Sequence, residues 1–264
     1  MTERAKRPNI HYNLVGKENV PTVILINGLG GDLRSWSALR LMLQDEYRVL
    51  SFDNRDSGLS DRVEGQYIIK DMVDDVLCLT EKLGIQKMHV IGYSMGGAIA
   101  QELAISYPKM VDKLILLATY DSTDNRAQDL FRGFASLRRE LDREDYLRFT
   151  LPWGYTHKEY EKPGFLEEVI NEAINDSLYQ ENEAFTRQME ATISFNSTDR
   201  LYLINNPTLL VFGDEDILTP LRFAHSLTSR IKGAKLFVIQ GTGHLFMKTH
   251  FKETAGIIKG FLTN

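Results

Sequence analysis

The chain has 264 residues, 43% hydrophobic and 25% charged, which is the composition of an ordinary globular protein and not of a disordered one. Its net charge of -5 is mild and lacks the clustered basic excess of a nucleic-acid surface, so no nucleic-acid partner is expected. A single cysteine, Cys78, excludes an intrachain disulfide and any two-cysteine redox or zinc motif.

The basic start, Arg4 to Arg7, reads as a solvated tail, and no continuous apolar stretch of a signal peptide follows it. Apolar runs elsewhere, such as Leu114 to Ala118, are far shorter than a membrane span. These features point to a cytoplasmic protein with no membrane partner. Ile10 to Val15 is expected as an antiparallel edge strand. Thr22 to Ile26, Tyr47 to Phe52, Lys87 to Ile91 and Lys113 to Ala118 are rich in Val, Ile and Leu and suit strands buried on both faces. Between them, Leu33 to Gln44, Tyr67 to Leu83 and Met95 to Tyr107 carry apolar residues at helical spacing, with Gly84 and Pro108 as stops. Cys78 falls in an apolar helical stretch and is expected to be buried and inert. This alternation predicts an α/β fold with a mostly parallel central sheet flanked by helices.

From Asp121 to Asn205 the pattern changes: no convincing strand, many charges, and helical spacing in Leu130, Phe134, Leu137 and Leu141 and in Phe185, Met189 and Ile193. A structureless loop of this length would be improbable, so 121–205 is expected to be an inserted helical cap, with 1–120 and 206–264 forming the core. The sheet resumes with Thr208 to Phe212, a helix near Leu221 to Ile231, the strand Lys235 to Gln240 and a last helix near Phe246 to Leu262.

Gly92-Tyr93-Ser94-Met95-Gly96 matches G-x-S-x-G between a buried strand and a helix. A strand turning sharply into a helix strains one residue and exposes its side chain at the sheet's end, and flanking glycines relieve the crowding. Ser94 is therefore the expected nucleophile. A second glycine-rich turn, Asn27-Gly28-Leu29-Gly30-Gly31, follows the strand ending at Ile26. It lacks the Gly-Lys-Ser/Thr of a phosphate loop and the third glycine of a dinucleotide fingerprint. The backbone N–H groups of Leu29 and Met95 are the expected oxyanion donors.

Three acids compete to orient the base. Asp216 lies in the loop after the strand ending at Phe212 and is favoured; Asp214 and Asp121 are the alternatives. Among six histidines, His244 in Gly241-Thr242-Gly243-His244 follows the last strand and is the expected general base. His89 reads as a packed strand residue and His157 as a cap residue, usually exposed at such a position. Leu245 and Phe246 are placed to seal the site.

NGLGG at Asn27, DNRDSGLS at Asp53, GYSMGG at Gly92, GDEDILTP at Gly213 and GTGH at Gly241 together resemble the α/β-hydrolase superfamily over nearly the whole chain, with its Ser, Asp, His order. The resemblance implies that fold, supports Asp216 through G-x-x-D-x-x-x-P, and gives the Asp53 segment a positioning role with Arg55 structural. Two residues depart from the family pattern: Asn27 where histidine is frequent, and Asp56 where glycine is common. Small esterases, enol-lactone hydrolases and methylesterases are the subgroup it most resembles.

The reaction expected is acyl transfer from an ester, lactone or thioester to water as co-substrate, with no metal and no cofactor. Carbon–carbon hydrolysis of a diketone, perhydrolysis, and ligand binding without catalysis are the alternatives. Cap aromatics, Phe131, Phe134, Trp153, Tyr155 and Phe195, suggest a partly apolar small-molecule substrate, with Phe131, Phe134 and Trp153 the first candidates to touch it. The natural substrate and the oligomeric state are not legible.

Overall fold

A computed structural model describes residues 7–263, so Arg4 and Lys6 of the basic start lie outside the described residues. Seven strands, β1 (Tyr12–Val15), β2 (Thr22–Ile26), β3 (Arg48–Phe52), β4 (Met88–Tyr93), β5 (Val111–Leu117), β6 (Thr208–Gly213) and β7 (Lys235–Ile239), make one sheet in the order β1-β3-β2-β4-β5-β6-β7. Only β1 runs antiparallel, against β3; every other pairing is parallel. The sequence reading of an α/β fold with a mostly parallel sheet therefore agrees with the structure. β2 and β6 are buried along their whole length, which is why they read as unbroken apolar runs.

Side chains of successive strand residues point to opposite faces, and each face has its own core. Ile24, Ile26, Val90, Leu114, Leu116, Leu210 and Phe212 pack with residues of α2 (Ile69–Lys82), α3 (Met95–Ser106) and α9 (Leu221–Arg230). Val23, Leu25, Ile91, Ile115, Leu117, Leu209 and Val211 pack with α1 (Ser37–Leu43) and α11 (Phe251–Thr263). Two expected helices are broken. Leu33 to Gln44 begins as a 3-10 turn, Leu33–Trp36, because the Asp32 side chain accepts from the Arg34 amide before α1 starts. The last helix is interrupted at His250, whose φ of -126° is not helical, so α10 (Phe246–Thr249) precedes α11.

The stretch between β5 and β6 contains α4 (Asn125–Glu140), α5 (Arg143–Thr150), α6 (His157–Tyr160), α7 (Phe165–Ile174) and α8 (Asn182–Ser194). An antiparallel bridge between Ser122 and Asn196 ties its two ends together. Its small core, Phe134, Ala135, Phe185, Met189 and Ile193, packs on Leu29 and Leu218, residues of the loops that follow β2 and β6. The helices thus sit over the carboxyl ends of the strands. Among the described residues no helix is long and apolar enough to cross a membrane.

The chain leaves β2 toward β3 on one side and β4 toward β5 on the other. In such sheets the reversal opens a crevice beyond the carboxyl ends of the two diverging strands. Ser94 and the 27–31 turn border that crevice.

Candidate active site

Ser94 has φ 52° and ψ -118°, a conformation that is uncommon and strained for a residue with a side chain. Backbone contacts impose it. The Ser94 N–H donates to the Leu117 carbonyl at 2.9 Å, and the Ser94 carbonyl accepts from the Gly97 N–H and the Thr119 hydroxyl, each at 2.8 Å. Glycine is required on either side: a Cβ at Gly92 would lie 2.3 Å from the Gly96 carbonyl oxygen, and one at Gly96 would lie 2.1 Å from that of Ile26. Ser94 stays partly exposed, as does Tyr93, while Gly92, Met95 and Gly96 are buried.

His244 sits in the loop after β7, 7% exposed, with its Nε2 3.2 Å from Ser94 Oγ and its Nδ1 2.8 Å from Asp216 Oδ2. An ionised carboxylate can only accept, so Nδ1 carries the proton and Nε2 offers its lone pair to the Ser94 hydroxyl. Asp216 Oδ1 accepts from the amides of Leu218 (2.9 Å) and Thr219 (2.8 Å), and Oδ2 accepts from the Thr219 hydroxyl at 2.6 Å. Burial pushes the Asp216 carboxyl up, but the attraction of His244 and the bonds from His244 and Thr219 outweigh it and hold it below the usual carboxylate range. The Tyr93 hydroxyl donates to the His244 carbonyl, and burial keeps that phenol well above its ordinary pKa, so it stays a neutral donor.

The competing acids are engaged elsewhere. Asp214 Oδ1 accepts from the amides of Gly241 and Thr242, staking down the loop that carries His244. Asp121 accepts from the hydroxyls of Thr198 and Ser226. Among the other histidines, His89 is buried and its pKa is lowered by burial, whereas His157 is exposed and faces Glu215 at 3.7 Å. Cys78 corrects its expectation: it is only half-buried, because the helix face it occupies meets the N-terminal stretch, where Arg7 donates to its sulfur.

The 27–31 turn lies against the serine. A Cβ on Gly28 would come within 3.1 Å of the Ser94 Cβ. The Gly31 N–H closes the turn on the Gly28 carbonyl, and the Gly30 N–H donates to Gln188 Oε1 at 3.1 Å. Among the described residues no protein acceptor is found for the N–H of Leu29 or of Met95. Below the turn, the buried Asp53 carboxylate accepts from the amides of Leu33 (2.7 Å) and Leu59 (2.9 Å), and Asn54 Nδ2 donates to the Asn27 carbonyl. Burial raises the Asp53 pKa against those two amides. Arg55 pairs with Asp75 at 2.6 Å, away from the serine.

The family model described as alpha/beta hydrolase fold matches residues 21–251. The chain belongs to the α/β-hydrolase fold family. A putative carbamate hydrolase, RutD, of Serratia proteamaculans is 25% identical over 262 residues, with 96% of each chain covered. A thermophilic esterase from Thermogutta terrifontis is 26% identical with a TM-score of 0.84, covering 96% of this chain and 93% of that one. The enol-lactonase from Burkholderia xenovorans shares the fold, with a TM-score of 0.88 at 23% identity and 98% of each chain covered. These relatives and structural neighbours are hydrolase enzymes of the same fold, and the resemblance drawn from the motifs agrees with them.

In this α/β-hydrolase the cap aromatics divide. Phe134 is buried at the centre of the small core, 5.8 Å from the Trp153 ring and 6.3 Å from that of Phe131, both half-buried. Tyr155 packs on Phe165, and Phe195 on Tyr120 in the main core. Leu245 meets Gly154 of the insertion, its N–H donating to the Gly154 carbonyl, while Phe246 is fully buried beneath Tyr93. Sequence reasoning missed Thr219, Tyr93, Arg187 and Gln188. The first two lie inside quoted motifs. Arg187 reaches the buried Asp56 carboxylate at 2.7 Å. Gln188 left one signal, a polar residue beside the apolar stripe of Phe185, Met189 and Ile193.

Proposed function

We propose that this hydrolase cleaves a carboxylic ester or lactone through an acyl-enzyme on Ser94. The observation that carries the reading is the unbroken line from Asp216 Oδ2 through the His244 ring to Ser94 Oγ, at 2.8 Å and 3.2 Å. His244 Nε2 takes the hydroxyl proton as Ser94 Oγ attacks the substrate carbonyl. Asp216 holds the ring tautomer and balances the imidazolium that forms. The oxyanion forms between the amides of Leu29 and Met95, each worth up to about 3 kcal/mol to the transition state. The leaving group departs with the proton from His244, and water repeats the sequence on the acyl-enzyme.

The helical insertion, 121–205, acts as a cap in this reading, and Phe131, Phe134 and Trp153 bring an apolar wall to the substrate. Support comes from the packing of their cluster on Leu29 and Leu218, which flank the reacting groups. The relatives are an esterase and a putative carbamate hydrolase, so carbamates and amides belong beside esters, lactones and thioesters in any substrate panel.

Fluorophosphonate labelling followed by mass spectrometry tests the assignment. The native protein is expected to be labelled at Ser94, and Ser94→Ala to lose both label and turnover, by about 10⁴-fold or more. Turnover retained in Ser94→Ala would sink the mechanism. Vinylogous diketones and hydrogen peroxide in the same panel separate carbon–carbon hydrolysis and perhydrolysis from ester hydrolysis.

A further inference from the structure

We infer that Gln188, on α8 of the insertion, is a positioning residue that sets the oxyanion turn, an inference that rests on the acyl-transfer reading. The turn is short and has two solutions. The Gly31 N–H closes on the Gly28 carbonyl at 3.2 Å, so Gly28 to Gly31 is a four-residue turn with Leu29 and Gly30 in the middle. Gly30 has φ +70° and Leu29 does not have a positive φ, which is the type II arrangement. A type I turn differs from it by a flip of the central peptide, the one that joins the Leu29 carbonyl to the Gly30 N–H. Glycine permits either orientation at little cost, so the turn's own sequence does not choose.

Gln188 chooses. Its side chain is wholly buried, and its Oε1 accepts from the Gly30 N–H at 3.1 Å. Its Nε2 donates to the Arg55 carbonyl and to Ser57 Oγ, each at 2.8 Å. The amide cannot be turned over: that would set its NH₂ against the Gly30 N–H and its oxygen against the Arg55 carbonyl. Three bonds thus fix the amide, and the amide fixes the central peptide next to the Leu29 donor. A flipped peptide would set the Leu29 carbonyl oxygen against Gln188 Oε1 and leave that buried oxygen without its donor. The cap therefore contributes to transition-state binding as well as to the substrate wall. Its link to the core at Asp56, through Arg187, touches no atom of the turn and serves as the internal control.

The experiment compares Gln188→Met, Arg187→Met, Ser57→Ala and Ser94→Ala in the full chain, with p-nitrophenyl butyrate as substrate and an alkyl trifluoromethyl ketone as a probe that adds reversibly to the serine. Gln188→Met is expected to lower kcat about tenfold to a hundredfold, less than the outright loss of an oxyanion donor, with KM within about twofold. Ketone affinity should fall by the same factor as kcat. Arg187→Met strands the buried Asp56 carboxylate and should lower stability, yet the folded variant should keep kcat within about threefold, since it loosens the cap without freeing the turn. Ser57→Ala, which removes one of the three anchors, should lower kcat by roughly twofold to fivefold.

Native kcat in Gln188→Met, a loss matched by Arg187→Met, or a loss confined to KM would overturn the inference. Should Gln188→Met fail to fold, Ser57→Ala decides, and unchanged kcat and ketone affinity there overturn it. Ser94→Ala separates the two layers of argument. Native turnover in that variant removes the acyl-transfer reading itself, whereas an inactive Ser94→Ala beside an unaffected Gln188→Met removes only the role of Gln188.

Discussion

The turn that carries Ser94 and the helices above it are held in place by different means. Around the serine, backbone meets backbone: Gly92 against Gly96, and Gly96 against the carbonyls of Ile26 and Asn27. In the insertion, side chains reach across gaps. Arg148 pairs with Glu144 and Glu167 on the exposed surface, and Arg138 lies over the rings of Tyr179 and Phe185. An added methyl at Gly133 would meet nothing within 4 Å. Backbone contacts forbid residue types, whereas surface ion pairs contribute little and can be exchanged. The candidate site therefore sits where sequence is most constrained, and the helices over it can vary, apart from the points where Arg187 and Gln188 enter the core.

The largest expected effect separates chemistry from packing within the constrained region. Asp216→Asn keeps the volume but loses the charge that holds His244, and kcat should fall about 10³- to 10⁴-fold with the fold retained. The same variant reads out on stability. The folded-state pKa of Asp216 is depressed, so its ionised form stabilises the fold above the ordinary carboxylate value of about 4, and that contribution is lost as pH falls through it. Urea midpoints measured below about pH 5 should therefore decline less steeply in Asp216→Asn than in the native protein. An equal slope would show that the carboxylate is not held as its surroundings imply.

Next comes a substitution in which packing alone is at stake. Gly96→Ala places a methyl 2.1 Å from the Ile26 carbonyl oxygen and 2.6 Å from that of Asn27, atoms of the strand end that leads into the 27–31 turn. Neither is a flexible side-chain tip, so α3 or β2 must shift. A cost of about 1–3 kcal/mol or more is expected, with activity falling alongside it because the Ser94 turn and the 27–31 turn move apart. Thermal unfolding and fluorophosphonate labelling rate would check the two effects. Native stability in Gly96→Ala would mean that the turn is not as tightly built as its contacts require.

The same contrast explains what was legible in the sequence. The strands and the Ser94 turn could be read because burial on both faces demands runs such as Thr22 to Ile26, and a strained strand-to-helix turn demands glycine two residues to either side. His244 and Asp216 followed because each sits in a loop beyond a strand's carboxyl end. The Tyr93 hydroxyl on the His244 carbonyl was hidden, since that contact joins residues 151 apart through tertiary packing, whereas the Thr219 hydroxyl on Asp216 is a local contact three residues on that went unread. Gln188 was harder still: its partners Gly30, Arg55 and Ser57 lie more than a hundred residues away in the chain, and a polar residue on a buried helix face does not name the groups it will bond. Asp56 was noticed only as a departure from glycine. The structure explains its presence, because its carboxylate is fully buried against Arg187 while its backbone takes a φ of 67° that glycine would adopt without strain.

The smallest expected effect has the opposite sign and probes the helices above the site. Gly133 lies inside α4, its φ is not positive, and a Cβ built on it finds open space. Glycine within a helix costs roughly 0.5–1 kcal/mol relative to alanine, because the unfolded chain has more freedom to lose. Gly133→Ala should therefore stabilise the protein by about that amount and raise the unfolding temperature by roughly 2 °C. The neighbouring Phe134, which anchors the small core over Leu29 and Leu218, keeps its place, so kcat on a small ester should stay within about twofold of native. One chemical change, glycine to alanine, is thus expected to destabilise at position 96 and to stabilise at position 133. If Gly133→Ala lost stability or activity on the scale expected of Gly96→Ala, the helices above the site would be as tightly constrained as the turn below them. Variation in those helices would then no longer be free of cost to the candidate site.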